Sequence, residues 1–345
     1  MRRLLPSLAL LAACVVAIGC GDDESDSAAG SGATTTEERA AFPVTIEHKY
    51  GATELTERPE RIVSVGLNEQ DAFFALGVAP VGVTDWMGFE NGIGPWAETA
   101  AKAAGDPPEL LTNTDGIQFE KVAALRPDVI VALYSDLNKS DYEKLSQIAP
   151  VVAPPEGHAD FGIPWQATTR TVGQVVGEPD EAEKLIGDLE ARIAKAKEEH
   201  PEFAGKSASM AMSYEGIWVY GPDDPRSRLL TDLGFVLSPE ISKLFVKDYA
   251  GMISEEQVQL LDLDAVAWFA TEDEAKKLDR NRVYNSLDVH KEDRDFVVLD
   301  SRPDNAYNAV GAQTVLSMPL ALDVLVPALA AAVDGDPATV PLAKD

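Results

Sequence analysis

Short apolar runs alternate with short amphipathic segments from Arg61 onward, and one long amphipathic stretch, 180–200, divides the alternation in two. Arg61-Ile-Val-Ser-Val-Gly66 is a β-branched run, Glu69–Leu76 has helical spacing and stops at Gly77, and Val78–Val83 is apolar again. The pattern returns as a helix over 119–125, a strand over 128–133, a helix over 142–148 and the strand pair Val151-Val152. Alternation of this kind predicts parallel sheets covered by helices, because parallel neighbours need a crossover and the crossover is usually a helix. In 180–200 the apolar residues fall at Ala182, Leu185, Ile186, Leu189, Ile193, Ala194 and Ala196, the stripe of one helix, which Pro201 ends. Alternation resumes at Ser207–Met212. The fold class read from this is α/β: two Rossmann-like lobes with parallel-rich sheets, joined by one long interdomain α-helix.

The two halves also carry a weak internal repeat. Glu120, Val122, Leu125 and Asp128 in 119–133 match Glu256, Val258, Leu261 and Asp264 in 255–269, and each segment reads as a short helix, a turn at an acid and a buried strand. Ser254 with Gln257 forms a capping box, which makes Ser254 the N-cap and puts Glu256 on an exposed first turn.

The N-terminus is a processing segment. Met1-Arg2-Arg3 precedes an uncharged apolar run, Leu4–Ile18, that contains Pro6 and is shorter than the roughly 20 residues of a membrane span. Ala17-Ile-Gly-Cys20 resembles the lipobox at which bacterial lipoproteins are cleaved and lipidated on the cysteine. The divisions expected are a signal peptide over 1–19, lipidated Cys20 with an acidic tether over 20–41, an N-terminal lobe over 42–177, the connecting helix over 178–200 and a C-terminal lobe over 201–345. Cleavage removes Cys14, so no disulfide and no cysteine-ligated metal site is possible.

Charge and motifs exclude several classes. With 58 Asp and Glu against 29 Lys and Arg, the formal charge is -29, and no basic run exceeds Arg2-Arg3. Such a chain repels phosphate backbones, so nucleic acid is not a partner. No GxSxG elbow, Walker loop or GxGxxG is present, and the protein is not read as an enzyme. The four histidines, His48, His158, His200 and His290, are scattered without metal-ligand spacing and each reads as a surface residue.

Ligands of open α/β sheets sit beyond the carboxyl ends of strands, so aromatic and cationic residues just after strands are the candidates. They are Trp86, Tyr134, Tyr214 and Arg302, with Trp96 and Trp165 in Gly/Pro-rich loops, Trp218 and Tyr220 before the Gly221-Pro222 turn, Arg226 and Arg228 after it, and Tyr307. Trp268, inside a strand, reads as core, and Arg170 as a helical surface charge.

These features together resemble the substrate-binding lipoproteins of ABC importers for ferric siderophores and vitamin B12. The resemblance is carried by Phe42–Gly51, Arg58-Pro-Glu-Arg-Ile-Val63, Ala75–Val83, Leu125-Arg-Pro-Asp-Val-Ile130, Tyr142–Pro150 and Leu229–Gly234. It implies an exported protein, lipid-anchored through Cys20 to the outer face of the cytoplasmic membrane and monomeric, that delivers its ligand to an ABC permease dimer. The ligand implied is a ferric siderophore held between the lobes, with iron entering as part of the chelate and no intrinsic cofactor; haem, a corrinoid or a free metal ion are the alternatives. In that family a surface Glu on each lobe docks on the permease, and the matching residues here are Glu120 and Glu256.

Overall fold

Val44–His48 (β1) and Gly51–Leu55 (β2) form a hairpin in front of two five-stranded sheets. The computed structural model describes residues 42–245, 248–336, 339 and 342; the expected signal peptide, Cys20 and the tether lie outside the described residues. The described residues belong to one compact unit.

The first sheet comprises Ile62–Ser64 (β3), Gly82–Asp85 (β4), Glu109–Thr112 (β5), Val129–Val131 (β6) and Val151–Val152 (β7). Its order is β5-β4-β3-β6-β7, and every pair is parallel. Residues of β3 and β6 are buried on both faces, which is why these strands read as unbroken apolar runs. The second strand starts at Gly82, four residues later than the apolar run began, since Pro80 has no N–H for a central ladder.

The second sheet comprises Ala208–Ser213 (β8), Ile217–Tyr220 (β9), Ala250–Ile253 (β10), Ala265–Ala270 (β11) and Asp295–Leu299 (β12), in the order β10-β9-β8-β11-β12. Parallel pairing joins β8, β11 and β12, whereas β9 runs antiparallel to β8 and β10. The reversal follows from a tight turn: Glu215 and Gly216 take positive φ (51° and 146°), and so short a connection cannot make a parallel crossover.

The repeat seen in the sequence is structural. Helix Phe119–Ala124 leads into β6, and the 3-10 helix Glu255–Leu261 leads into β11, each the parallel neighbour of its lobe's central strand. Asp128 accepts from the N–H groups of Glu60 and Arg61 at the threshold of β3, and Asp264 accepts from the N–H and hydroxyl of Ser207 at the threshold of β8. In both halves the acid clamps the start of the central strand, and the equivalent valines, Val122 and Val258, are buried.

Helix Pro179–Glu199 joins the halves, 21 residues long and about 30 Å at 1.5 Å per residue. Of its buried stripe, Ala182 lies against Gly173 of helix Trp165–Val176, and Ile186, Leu189 and Ile193 share a core with Leu229 of helix Pro225–Leu233 and Leu322 and Leu325 of helix Met318–Val333. Ion pairs tie it to both sides: Arg170 to Glu183 at 2.5 Å, and Arg192 to Asp323 at 2.6 Å. Among the described residues no helix is long and apolar enough to cross a membrane.

Candidate functional site

The carboxyl ends of β4, β6, β8 and β11 open on a cavity of about 490 Å³ between the sheets, a volume in the range of small-molecule sites. From the first half come Leu67, Trp86, Met87, Tyr134 and Phe161; from the second come Met212, Tyr214, Trp218, Tyr220, Arg226, Tyr249, Phe269 and Tyr307. Trp86 and Tyr134 follow β4 and β6 directly, Tyr214 follows β8, and Tyr220 ends β9. Trp86 (38% exposed) and Tyr214 (55%) form the lip, while Tyr134 (3%) and Tyr220 (7%) lie deep.

The aromatic wall is continuous across the two halves. Trp86 tilts on Tyr134 with centroids 5.8 Å apart, Tyr134 meets Phe161 edge-on at 5.6 Å, and Phe161 meets Tyr249 of the second half at 5.8 Å. Opposite, Phe269 and Tyr307 are 6.0 Å apart, and the Tyr220 and Tyr307 hydroxyls both point toward the Met212 sulfur. These are the offset and edge-to-face spacings that aromatic quadrupoles favour. Burial raises the phenol pKa values of Tyr134, Tyr220 and Tyr307, so all three stay neutral near neutral pH.

Among the described residues Arg226 is the single charged side chain on this wall. Pro225 opens helix Pro225–Leu233 and Asp224 caps it, accepting from the Arg226 N–H at 2.8 Å. The same carboxylate grips the guanidinium twice, Nε to Oδ1 at 2.9 Å and Nη2 to Oδ2 at 2.8 Å. The guanidinium lies 3.9 Å from the Tyr220 ring centroid.

Of the residues singled out from the sequence, seven therefore share one wall: Trp86, Tyr134, Tyr214, Trp218, Tyr220, Arg226 and Tyr307. Four stand elsewhere. Trp96 is tucked behind Trp86, its Nε1 donating to Asp71 at 2.8 Å. Trp165 starts helix Trp165–Val176 and is buried with Ile186 and Leu189 under the connecting helix. Arg228 donates to the Gly162 carbonyl at 2.7 Å, a strut between the halves, and Arg302 is held by Asp304. Glu120 and Glu256 are exposed in the first turns of their helices and make no ion pair with the described residues; the capping box at Ser254 is present. Trp268 is fully buried, and Arg170 spends its charge on Glu183.

One reading needs correction. His48 is no surface histidine: it is 5% exposed, its Nε2 is 3.0 Å from the Thr53 hydroxyl across the β1–β2 hairpin, and burial lowers its pKa. Among the described residues no group of three or more His, Cys, Asp or Glu is placed to hold a metal ion.

Phe161, Met212, Tyr249 and Phe269 were not anticipated. Phe269 had a signal in the period-2 geometry of β11: next to core-facing Trp268 it must face the other way. Phe161 sits in the left-handed region (φ 56°), a backbone conformation that no residue pattern announces.

Two sheet-based lobes that close an aromatic cavity with one internally paired cation define a solute-binding protein. The chain belongs to the periplasmic binding protein family, whose profile matches residues 62–302. That family consists of substrate-binding transport proteins, so the resemblance read from the sequence holds. YhfQ of Bacillus subtilis, assigned as an ABC transporter substrate-binding lipoprotein, is 27% identical over 201 residues, which span 56% of this chain and 58% of YhfQ. A periplasmic solute binding protein from Mycobacterium smegmatis superposes with TM-score 0.73 at 32% identity, covering 84% of this chain and 99% of that one. PiaA of Streptococcus pneumoniae, in its complex with ferrichrome, gives TM-score 0.73 at 28% identity over 84% of this chain and 99% of PiaA.

Proposed function

We propose that this protein captures a ferric siderophore in the cavity between its lobes and hands it to an ABC permease for iron uptake. The observation that carries the reading is the aromatic wall contributed by both halves: rigid, amphipathic rings bury a bulky chelate at little entropic expense, and a single guanidinium supplies donors to chelate oxygens. The ferrichrome complex of PiaA, a protein of like fold and 28% identity, supports it. Iron is cargo inside its chelate, and the protein acts by binding and not by catalysis.

In this reading residues 1–19 direct export, Cys20 carries the lipid, 20–41 tether the domain off the outer face of the cytoplasmic membrane, and the lobes 42–177 and 201–345 flank the connecting helix 178–200. Glu120 and Glu256 dock the loaded monomer on the permease dimer. Intrinsic fluorescence tests the ligand, because Trp86 and Trp218 line the cavity. Saturable quenching by a ferric chelate is expected. Response only to haem, cobalamin or a bare metal salt would replace the siderophore with that ligand.

A further inference from the structure

Resting on the siderophore reading, we infer that the cavity is built for a ferric chelate that carries no net negative charge, and that Asp224 is the residue that sets this preference.

Charges at the cavity balance. Among the described residues Arg226 is the one charged group lining the cavity, and Asp224, fully buried, cancels it through a two-point contact fixed further by the Arg226 backbone N–H. Those two bonds use Nε and Nη2 and leave the Nη1 amino group outside the ion pair. It is a donor without an excess charge behind it. The three phenols nearby are neutral donors and acceptors. Beyond the wall, Arg228 is met by Asp223 and Asp232 as well as Asp224, so the second layer adds no positive surplus. The chain as a whole carries -29.

Ferric chelates differ in charge by their donor chemistry. Three hydroxamate monoanions around Fe³⁺ sum to zero, whereas three catecholate dianions leave three negative charges. Moving an anionic chelate out of water into an apolar, aromatic cavity loses its hydration, and only a surplus of cations can restore that loss. Among the described residues the cavity has no such surplus. A neutral tris-hydroxamate loses little on entry, and its carbonyl and hydroxamate oxygens accept from Arg226 Nη1 and the phenols. Asp224 is thus a selectivity residue that acts through Arg226 and touches no ligand.

The test compares two ferric chelates on the purified full chain by tryptophan quenching: ferrichrome, which is neutral, and a ferric tris-catecholate. Wild type is expected to bind ferrichrome more tightly by about 100-fold or more, the scale of an uncompensated buried charge. Asp224→Asn retains a capping side chain and leaves Arg226 unbalanced, so the ratio between the chelates should narrow by about tenfold or more. A thermal melt of the variant checks that it folds. If it does not, the wild-type ratio and its response to salt decide the question alone. Equal or tighter binding of the tris-catecholate by wild type, or an unchanged ratio in a folded Asp224→Asn, overturns the inference while ferric-chelate binding stands. Silence toward both chelates overturns the siderophore reading beneath it.

Discussion

Asn68-Glu69-Gln70-Asp71 is polar in sequence and buried in the structure, none of the four more than 6% exposed. Glu69 accepts from the N–H groups of Gly66, Leu133 and Tyr134 and so locks the ends of β3 and β6 together. Gly66 permits this approach: a Cβ there would lie 2.2 Å from the Glu69 carboxylate. Asp71 accepts from Trp96 Nε1 at 2.8 Å and from the Thr314 hydroxyl of the other lobe at 2.5 Å, and Asn68 donates to the Ala312 carbonyl at 2.8 Å. Burial pushes the Asp71 pKa up to about 6, with the hydrogen bonds from Thr314 and Trp96 opposing it. The native state therefore holds a proton that the unfolded chain, titrating near 3.8, has already released, so stability falls as pH rises from about 4 through about 6. Glu69, also raised by burial, acts in the same direction. Asp71→Asn is expected to stabilise the protein at pH 7.5 by about 2–3 kcal/mol and to leave it level with wild type near pH 4. Urea midpoints at the two pH values check this, and an equal gap at both would remove the titration argument.

At the scale of elements, the connecting helix shows which contacts matter. Ile186 is 3% exposed within the shared core, whereas Arg192 and Asp323 are largely solvated partners. Ile186→Ala should cost about 2–5 kcal/mol from lost burial and the cavity left behind, and Arg192→Ala less than about 1 kcal/mol. Chemical denaturation of the two variants ranks them, and a larger loss for Arg192→Ala would mean that the ion pairs hold the helix. Element boundaries were legible where punctuation is local, as at Gly77, Pro201 and the Ser254 capping box. They shifted where it was overlooked: the helix expected over 142–148 runs Lys139–Leu145, because Asn138 caps it by accepting from the Asp141 N–H.

For the whole molecule, the repeat carries a prediction that neither half makes alone. Glu120 and Glu256 occupy equivalent exposed first turns on the two lobes, so a dimeric permease would meet one acid per subunit. On the proposed docking role, Glu120→Ala with Glu256→Ala should lower ferric-siderophore uptake by about tenfold or more, since losing one partner of an interfacial charge pair weakens contact strongly. Chelate affinity of the purified double variant should stay unchanged, and a fall in that affinity would remove the docking role. The sequence by itself determined the two α/β halves, the helix between them and the repeat, because hydrophobic periodicity and strand–helix order are local properties of the chain. It also pointed to the aromatics at strand ends, since a parallel sheet exposes its carboxyl edge to ligand. Only the tertiary structure decided that Trp96, Trp165, Arg228 and Arg302 serve packing, struts and ion pairs while Phe161, Met212, Tyr249 and Phe269 join the wall. The same holds for Asp224, which cancels Arg226, and for the Asn68–Asp71 segment, which is buried between lobes. Facing, burial and charge pairing depend on neighbours distant in sequence, and no local pattern encodes them.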